Sequence, residues 1–319
     1  MCELTATIFD IYRGTTHDGP GLRDTVFFSG CPLSCRWCHN PEGLLRKNAV
    51  WHEPKTCIGC MECRDICPNR AISEGETNLL VDRNLCDLCG KCVKECPTKS
   101  MLCVQKTWTP ETLVKELMRD KEYYETSGGG VTVSGGECLM QHTFVADLFR
   151  RLHENGIHTA LDTSGYTSKN VLKDVLNETD CLLLDLKIMN NDSHKEFTGV
   201  ENSIILENAL FAAEYAKSKD YSFEIWIRTP LIPDATATEE NIIAIGEFIR
   251  DNLGKAVTRW ELCSFNNVCE RKYQRLGLEW EYKDYSLLTV SRANELLAAA
   301  KSTKAADGEI FVTGLLADN

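Results

Sequence analysis

At 319 residues with a hydrophobic content of 43%, the chain is long and apolar enough to bury a sizeable core. Its formal net charge of −12 argues against general binding to nucleic acid or to an anionic membrane surface. No apolar run is long enough to span a bilayer, and the opening M-C-E-L-T lacks the basic and apolar stretches of an export signal, so a cytoplasmic protein is expected. Disulfides are then not expected, yet there are 17 cysteines, and eleven fall in three tight groups of three, four and four. Metal clusters account for that grouping.

In chain order, residues 6–12 (A-T-I-F-D-I-Y) predict a short strand. A turn follows from Thr16 to Arg23, marked by Asp18-Gly19-Pro20-Gly21, and leads into an apolar strand at 25–29. The first cysteine group comes next, C-P-L-S-C-R-W-C, with Cys31, Cys35 and Cys38. Thiolate is a soft ligand suited to iron–sulfur clusters, zinc or copper(I). Three cysteines leave one iron of a 4Fe–4S cluster without a protein ligand, free to take a substrate or cofactor. A zinc site closes with four ligands and would have to borrow His39.

From Cys57 the sequence reads C-I-G-C-M-E-C-R-D-I-C-P, and from Cys86 it reads C-D-L-C-G-K-C-V-K-E-C-P, an internal repeat offset by 29 residues. This resembles the bacterial two-cluster ferredoxins, in which the fourth cysteine of each run ligates the other cluster. The resemblance implies one 4Fe–4S cluster on Cys57, Cys60, Cys63 and Cys96, and a second on Cys86, Cys89, Cys92 and Cys67. A zinc ribbon would use only four of these eight cysteines and leave the repeat unexplained. Residues 53–103 are read as an inserted domain too short to bury a core without its clusters, which couples metal binding to folding. Residues 1–52 then carry the first barrel strand and the cysteine loop, and 104–319 the rest of the barrel.

From Trp108 onward, strands and helices alternate. Thr109 caps a helix opened by Pro110, with Leu113, Val114, Leu117 and Met118 on one face. Strands are expected at 131–133, 159–162, 181–187, 223–228 and 258–262, with helices at about 141–155, 168–177, 203–218 and 239–252 between them. With the strand at 25–29, these make an α/β fold, an open (β/α)6 partial barrel interrupted after its first strand. Neither the strand at 6–12 nor the run 310–312 finds a definite place in that sheet.

Polar residues recur where these strands end, as they do at the reactive face of parallel barrels. Ser134-Gly135-Gly136-Glu137 follows one strand; the glycines admit close backbone approach, and a carboxylate can pair with an ammonium group. Asp162-Thr163 and Asp185-Leu186-Lys187 end the next two, and Arg228 the fifth. Asn266 follows the sixth.

Taken together, D-G-P-G-x-R, a short strand, then G-C-x-x-x-C-x-W-C-H-N-P resemble the signature of glycyl-radical-enzyme activating enzymes in the radical S-adenosylmethionine (AdoMet) superfamily. The resemblance runs the length of the chain. It implies that the Cys31/Cys35/Cys38 cluster reductively cleaves AdoMet to a 5′-deoxyadenosyl radical, which takes a hydrogen atom from a backbone glycine of a partner glycyl radical enzyme. It places Trp37, His39, Gly135, Gly136, Glu137, Asp185, Lys187, Arg228 and Asn266 against AdoMet, and Asp162 and Thr163, with Asp185, at a monovalent-cation site. Asp18, Gly19, Pro20, Gly21 and Arg23 would receive the partner's glycine loop. Flavodoxin or ferredoxin would deliver electrons through the two insert clusters, and the enzyme would be a monomer. Three positions depart from the family pattern: Cys138 stands for a Pro, Asn266 for a His and Cys269 for a Gly. Two other readings use the same motifs: a radical AdoMet enzyme acting on a small molecule or peptide, and an iron–sulfur electron-transfer protein.

Overall fold

The computed structural model describes every residue except 1–2, 46, 76–78, 220–221, 306–308 and 319, so Cys2 lies outside it. Thirteen strands are present among the described residues: β1 (Ala6–Thr15), β2 (Arg23–Phe28), β3 (Val50–His52), β4 (Ile72–Glu74), β5 (Leu79–Val81), β6 (Met101–Cys103), β7 (Lys106–Trp108), β8 (Gly130–Gly135), β9 (His158–Thr163), β10 (Cys181–Asp185), β11 (Glu224–Leu231), β12 (Val257–Ser264) and β13 (Glu309–Thr313). The α-helices are α1 (Glu62–Asp65), α2 (Lys91–Glu95), α3 (Pro110–Leu117), α4 (Lys121–Ser127), α5 (His142–Glu154), α6 (Lys169–Leu176), α7 (Asn191–Thr198), α8 (Ser203–Ser218), α9 (Glu239–Phe248), α10 (Glu270–Arg275) and α11 (Val290–Ser302).

Nine strands form one sheet in the order β13-β12-β11-β10-β9-β8-β2-β1-β7. Seven of them, β2 and β8 to β13, run parallel, and β8 to β13 are each reached through helical crossovers. Parallel strands are covered on both faces, and β2 is buried at all six positions. The sheet is open, with β7 and β13 at its edges. The six expected strand–helix units are all there. The run at 310–312 is a seventh parallel strand, because α11 supplies a crossover that the sequence reading did not include. The turn after β1 folds that strand back antiparallel to β2, and β7 then adds to its far side.

The helices form as their sequences dictate. Thr109 accepts the backbone N–H of Thr112 at the start of α3, while the Thr112 hydroxyl reaches back to Thr109 N. Leu113 and Leu117 of α3, Leu148, Phe149 and Leu152 of α5 and Leu172 and Val175 of α6 are fully buried against the sheet. At about 25 cal/mol per Å² of apolar surface, burial on this scale is the dominant stabilising term.

The segment between β2 and β7 keeps its 29-residue repeat in three dimensions. β3 and β5, α1 and α2, and β4 and β6 occupy matching places in its halves. Gly59 and Leu88, Met61 and Gly90, and Arg70 and Lys99 all have positive φ, so the backbone repeats residue for residue. Each half gives a strand to the other, β3 pairing with β6 and β4 with β5. Because Val50–His52 pairs with Met101–Cys103, β3 goes with this segment and not with the residues before it.

Candidate active site

The C-terminal ends of the parallel strands enclose a cavity of about 420 Å³. Cys31, Cys35 and Cys38, on the loop after β2, line one wall. Gly135-Gly136 after β8, Asp162-Thr163 at the end of β9, Asp185 and Lys187 after β10, Arg228 of β11 and Asn266 after β12 line the rest. Thr313 and Gly314 of the seventh strand also reach it. Residues scattered over more than 280 positions of sequence thus converge because parallel strands all end on the same side.

The cysteine loop is fixed from outside. Ser34 N and Arg36 N donate to Thr198 O (2.8 Å) and Phe197 O (3.1 Å) at the end of α7. From α10, the Tyr273 hydroxyl donates to Cys38 O at 2.9 Å, and Lys272 Nζ reaches Asn40 Oδ1 at 3.1 Å and Glu42 Oε1 at 3.4 Å. Trp37 is buried and meets Phe197 and Tyr282. A Cβ on Gly136 would stand 2.2 Å from Gly30 O, so only glycine lets the loop after β8 lie this close to the cysteine loop. Burial pushes the Cys31, Cys35 and Cys38 thiols each up to about 12 in the metal-free protein.

His39 lines the cavity with its ring edge-on to Phe265 and Trp280. Burial, with Lys272 adding to it, holds its pKa down at about 4, and its Nε2 is a buried atom without a hydrogen-bond partner. Lys187 forms an ion pair with Asp185. Burial alone would depress the lysine, but Asp185 and Cys35 raise it above the ordinary range. Arg228 lies within 3.6 Å of Asp18, Asp162 and Glu261. Burial opposes its charge, and the surrounding Cys263, Asp162 and Asp18 more than offset this.

Several expected site residues are turned elsewhere. Glu137 is buried away from the cavity: its carboxylate accepts Thr163 Oγ1 (2.7 Å), Ser164 N (2.9 Å), Ser164 Oγ (2.5 Å) and Leu139 N (3.1 Å). It ties the loop after β8 to the loop after β9, with no lone pair aimed at a ligand. Asp162 accepts Ser134 Oγ at 2.6 Å and faces Arg228, while Thr163 donates to Glu137. The positive partner in that corner is the guanidinium.

Arg23 departs most from expectation. It is fully buried, giving Nε to Thr132 Oγ1 (2.7 Å), one terminal nitrogen to Pro20 O (2.9 Å) and the other to Val131 O (2.8 Å). Burial lowers its pKa to about 10. It is a bolt beneath the turn, out of reach of an incoming peptide. Asp18 accepts the Thr25 hydroxyl at 2.8 Å, and a Cβ on Gly21 would collide with Gly129 at 2.4 Å. Among residues 16–23, only His17 lines the cavity. Sequence reasoning gave no role to Lys272, Tyr273 or Ser134; the lysine and tyrosine were visible in the stretch after β12, but their reach back to Cys38 depends on tertiary placement.

In the repeated segment, Cys57, Cys60, Cys63 and Cys96 line one cavity, and Cys67, Cys86, Cys89 and Cys92 line another. All eight thiols are free. Among the other described cysteines, Cys263 lines the main cavity, Cys138, Cys181 and Cys269 are buried and Cys103 is half-buried.

A family described as "4Fe-4S single cluster domain" matches residues 17–206. The 4-hydroxyphenylacetate decarboxylase activating enzyme of Clostridioides difficile (strain 630) is 37% identical over 288 residues, covering 88% of this chain and 89% of that one. The (2S)-3-sulfopropanediol dehydratase activating enzyme of Klebsiella oxytoca is 38% identical over 282 residues, 87% of either chain. The trans-4-hydroxy-L-proline dehydratase activating enzyme of Clostridioides difficile is 35% identical over 295 residues, 92% of this chain and 93% of that one. Among solved structures, Streptococcus suis SuiB bound to precursor peptide SuiA shares the fold, with a TM-score of 0.54 at 14% identity over 91% of this chain and 48% of that one. No helix among the described residues is long and apolar enough to cross a membrane.

Proposed function

The chain belongs to the activating enzymes of glycyl radical enzymes, and on that premise we propose that Cys31, Cys35 and Cys38 hold a site-differentiated 4Fe–4S cluster with AdoMet beside it in the 420 Å³ cavity. The observation that carries the reading is the convergence of three undisulfided thiols, a Gly-Gly cradle, the Asp185–Lys187 pair and Arg228 on one space. The unpartnered His39 Nε2 in that wall fits a ligand that brings its own donor. When bound, the cluster and AdoMet would supply one-electron cleavage to a 5′-deoxyadenosyl radical able to take a hydrogen atom from a glycine Cα.

The chain's own residues position and enclose. Tyr273 and Lys272 hold the cysteine loop in place from α10. Gly135 and Gly136 let backbone approach the ligand, and Glu137 fixes that turn from behind. Lys187, Asp185 and Arg228 supply fixed charges in the cavity wall, where partial burial strengthens them. His17, on the wall lined by the N-terminal turn, is the residue of that turn placed to meet a partner loop.

The eight remaining cluster cysteines, ringed four and four, support a ferredoxin-like insert with two further 4Fe–4S clusters, which brings the total to three. We assign them to relaying electrons from flavodoxin or ferredoxin. The partner enzyme is one of the glycyl-radical decarboxylases, dehydratases or sulfite-lyases whose activating enzymes this chain resembles.

Electron paramagnetic resonance (EPR) tests the reading. Reconstituted protein mixed with dithionite, AdoMet and a candidate partner should give a doublet split by the glycine α-proton, absent in Cys35→Ala. AdoMet cleavage without that doublet for any decarboxylase, dehydratase or lyase partner would redirect the function to a small-molecule or peptide substrate.

A further inference from the structure

The insert's pseudo-symmetry allows its two four-cysteine cavities to be compared position by position. With the 29-residue offset, Cys57, Cys60, Cys63 and Cys96 correspond to Cys86, Cys89, Cys92 and Cys67. The backbone donors correspond as well: Ser100 N donates to Cys96 Sγ at 3.1 Å, and Ala71 N to Cys67 Sγ at 3.3 Å. That matched pair cancels in the comparison, while Gly59 N donates to Cys57 Sγ at 3.4 Å without a matching bond to Cys86 among the described residues. The walls differ at several positions, among them Ile58 against Asp87, Met61 against Gly90 and Ser100 against Ala71, and the difference that bears a buried ring N–H is His52, which lines the first cavity where its mate, Val81, lines the second.

His52 ends β3 and is 6% exposed. Its Nδ1 accepts the backbone N–H of Leu79 at 3.0 Å, which fixes the neutral tautomer with hydrogen on Nε2. That Nε2 is buried and has no partner among the described residues. Buried N–H groups are nearly always satisfied, so a donor left over in the wall of a four-thiol cavity points to an acceptor that belongs in the cavity. The hydroxyls nearby do not provide one, since Thr56, Thr98 and Ser100 bond to one another.

We infer that His52 Nε2–H donates a hydrogen bond to sulfur of the cluster held by Cys57, Cys60, Cys63 and Cys96, and thereby sets its reduction potential above that of its pseudo-symmetric mate. Reduction adds one negative charge to the cluster without taking up a proton; the hydrogen stays on Nε2 and stabilises the more negative state. Val81 offers nothing comparable. Asp87 and Lys91 line the second cavity, and Thr98 Oγ1 lies 3.8 Å from Cys96 Sγ in the first; a substitution at His52 alone holds all of these constant. The inference rests on the two-cluster reading of the insert.

The test is an EPR-monitored reductive titration of the full chain carrying Cys31→Ala, Cys35→Ala and Cys38→Ala, so that only the insert clusters report. Two one-electron waves are expected. His52→Val, which makes the two walls alike, should lower the upper wave so that the reduced-to-oxidised ratio at fixed potential falls about tenfold, about 59 mV for one electron. The lower wave should stay in place, and His52→Gln, with its own N–H, should retain most of the original potential. Both waves unmoved in His52→Val, with iron content intact, would overturn the inference and leave the two-cluster reading standing. Loss of one cluster in both variants would make His52 a structural residue and overturn it too. A parent chain with fewer than two waves would remove the two-cluster reading itself.

Discussion

The barrel and the insert both gather thiols around a space, but they are held together by different means. Behind the Cys31/Cys35/Cys38 loop stand Leu148, Phe149, Leu182, Leu262 and Trp260, all fully buried and none dependent on a metal. The insert's buried cluster is Val50, Cys63, Ile72, Cys92 and Met101, with Cys67, Cys86, Cys96 and Cys103 packed partly buried around it. Its strands are three residues long. Leu79, Val81 and Val93 complete that small cluster, so cysteines make up much of the little core it has. The barrel can present a site on a core of its own, whereas on the two-cluster proposal the insert should depend on its clusters to fold.

The largest expected effect tests that contrast directly. In a Cys63→Ala/Cys92→Ala chain, amide protection over residues 50–103 should vanish, and a protease should cut there first. The barrel should still unfold cooperatively at nearly its original temperature. Hydrogen exchange read by mass spectrometry decides it: an insert that stays as protected as the barrel would show that its few apolar residues suffice. The complementary change lies in the barrel. Leu184→Ala in β10 removes a side chain that is 1% exposed and packs where Gly165 turns, and should cost about 2–5 kcal/mol of barrel stability. Iron content of the insert should not change. A loss of insert iron with the barrel would mean that the two unfold as one unit.

The same contrast explains what could be read from sequence. In the barrel, period, caps and breakers spoke for each element alone: α8 falls at 203–218 as expected, and Thr109-Pro110 opens α3. The strand-end residues were legible because parallel topology sends all of them to one face. Orientation was not legible. Glu137 and Arg23 stand in motifs that imply a ligand and a peptide, yet the buried hydroxyls of Thr163, Ser164 and Thr132 claim their polar atoms. Nothing in a linear motif shows which neighbours compete for a carboxylate. The strand at 309–313 was left unplaced because its run is short and its crossover helix, α11, has no wide apolar stripe. In the insert the reverse holds. Its elements are too short for periodicity to speak, but the repeat and its resemblance to two-cluster ferredoxins, in which the fourth cysteine crosses over, imply the same two groups of four that line the two cavities.

A smaller effect sharpens the barrel side. Three carboxylates, Asp18, Asp162 and Glu261, share the Arg228 guanidinium. Burial raises Asp162 to about 6, against the pull of Arg228. A carboxyl raised above its unfolded value of 3.8 binds its proton more tightly in the folded state. Its contribution is thus fully present below about pH 4 and is lost as pH rises through 6. Asp162→Asn removes that dependence. Relative to the parent, the metal-free variant should gain on the order of 2 kcal/mol between pH 4 and pH 7, seen as a rising difference in Tm. A difference that is flat with pH would mean Asp162 stays ionised and Arg228 alone satisfies it.

The smallest effect concerns the contact between the two regions. Helix α10 touches both: Tyr273 and Lys272 hold the Cys38 loop, while Arg275, one turn further or less, pairs with Glu53 and lies 4.9 Å over the Trp51 ring. Leu276 just beyond is buried with Ala49 and Val104 at the insert's root. The ion pair is partly exposed, so Arg275→Met should cost about 1 kcal/mol, shared between the lost pair and the lost cation–π contact. If α10 merely docks the insert, exchange should quicken at residues 50–53 and nowhere near Cys38. If α10 transmits position, the EPR line shape of the AdoMet-bound first cluster should shift as well, although Arg275 touches none of its ligands. The second outcome would erase the separation drawn between a self-sufficient barrel and a metal-built insert. The first is expected, because the Tyr273 and Lys272 bonds to the cysteine loop do not pass through the arginine.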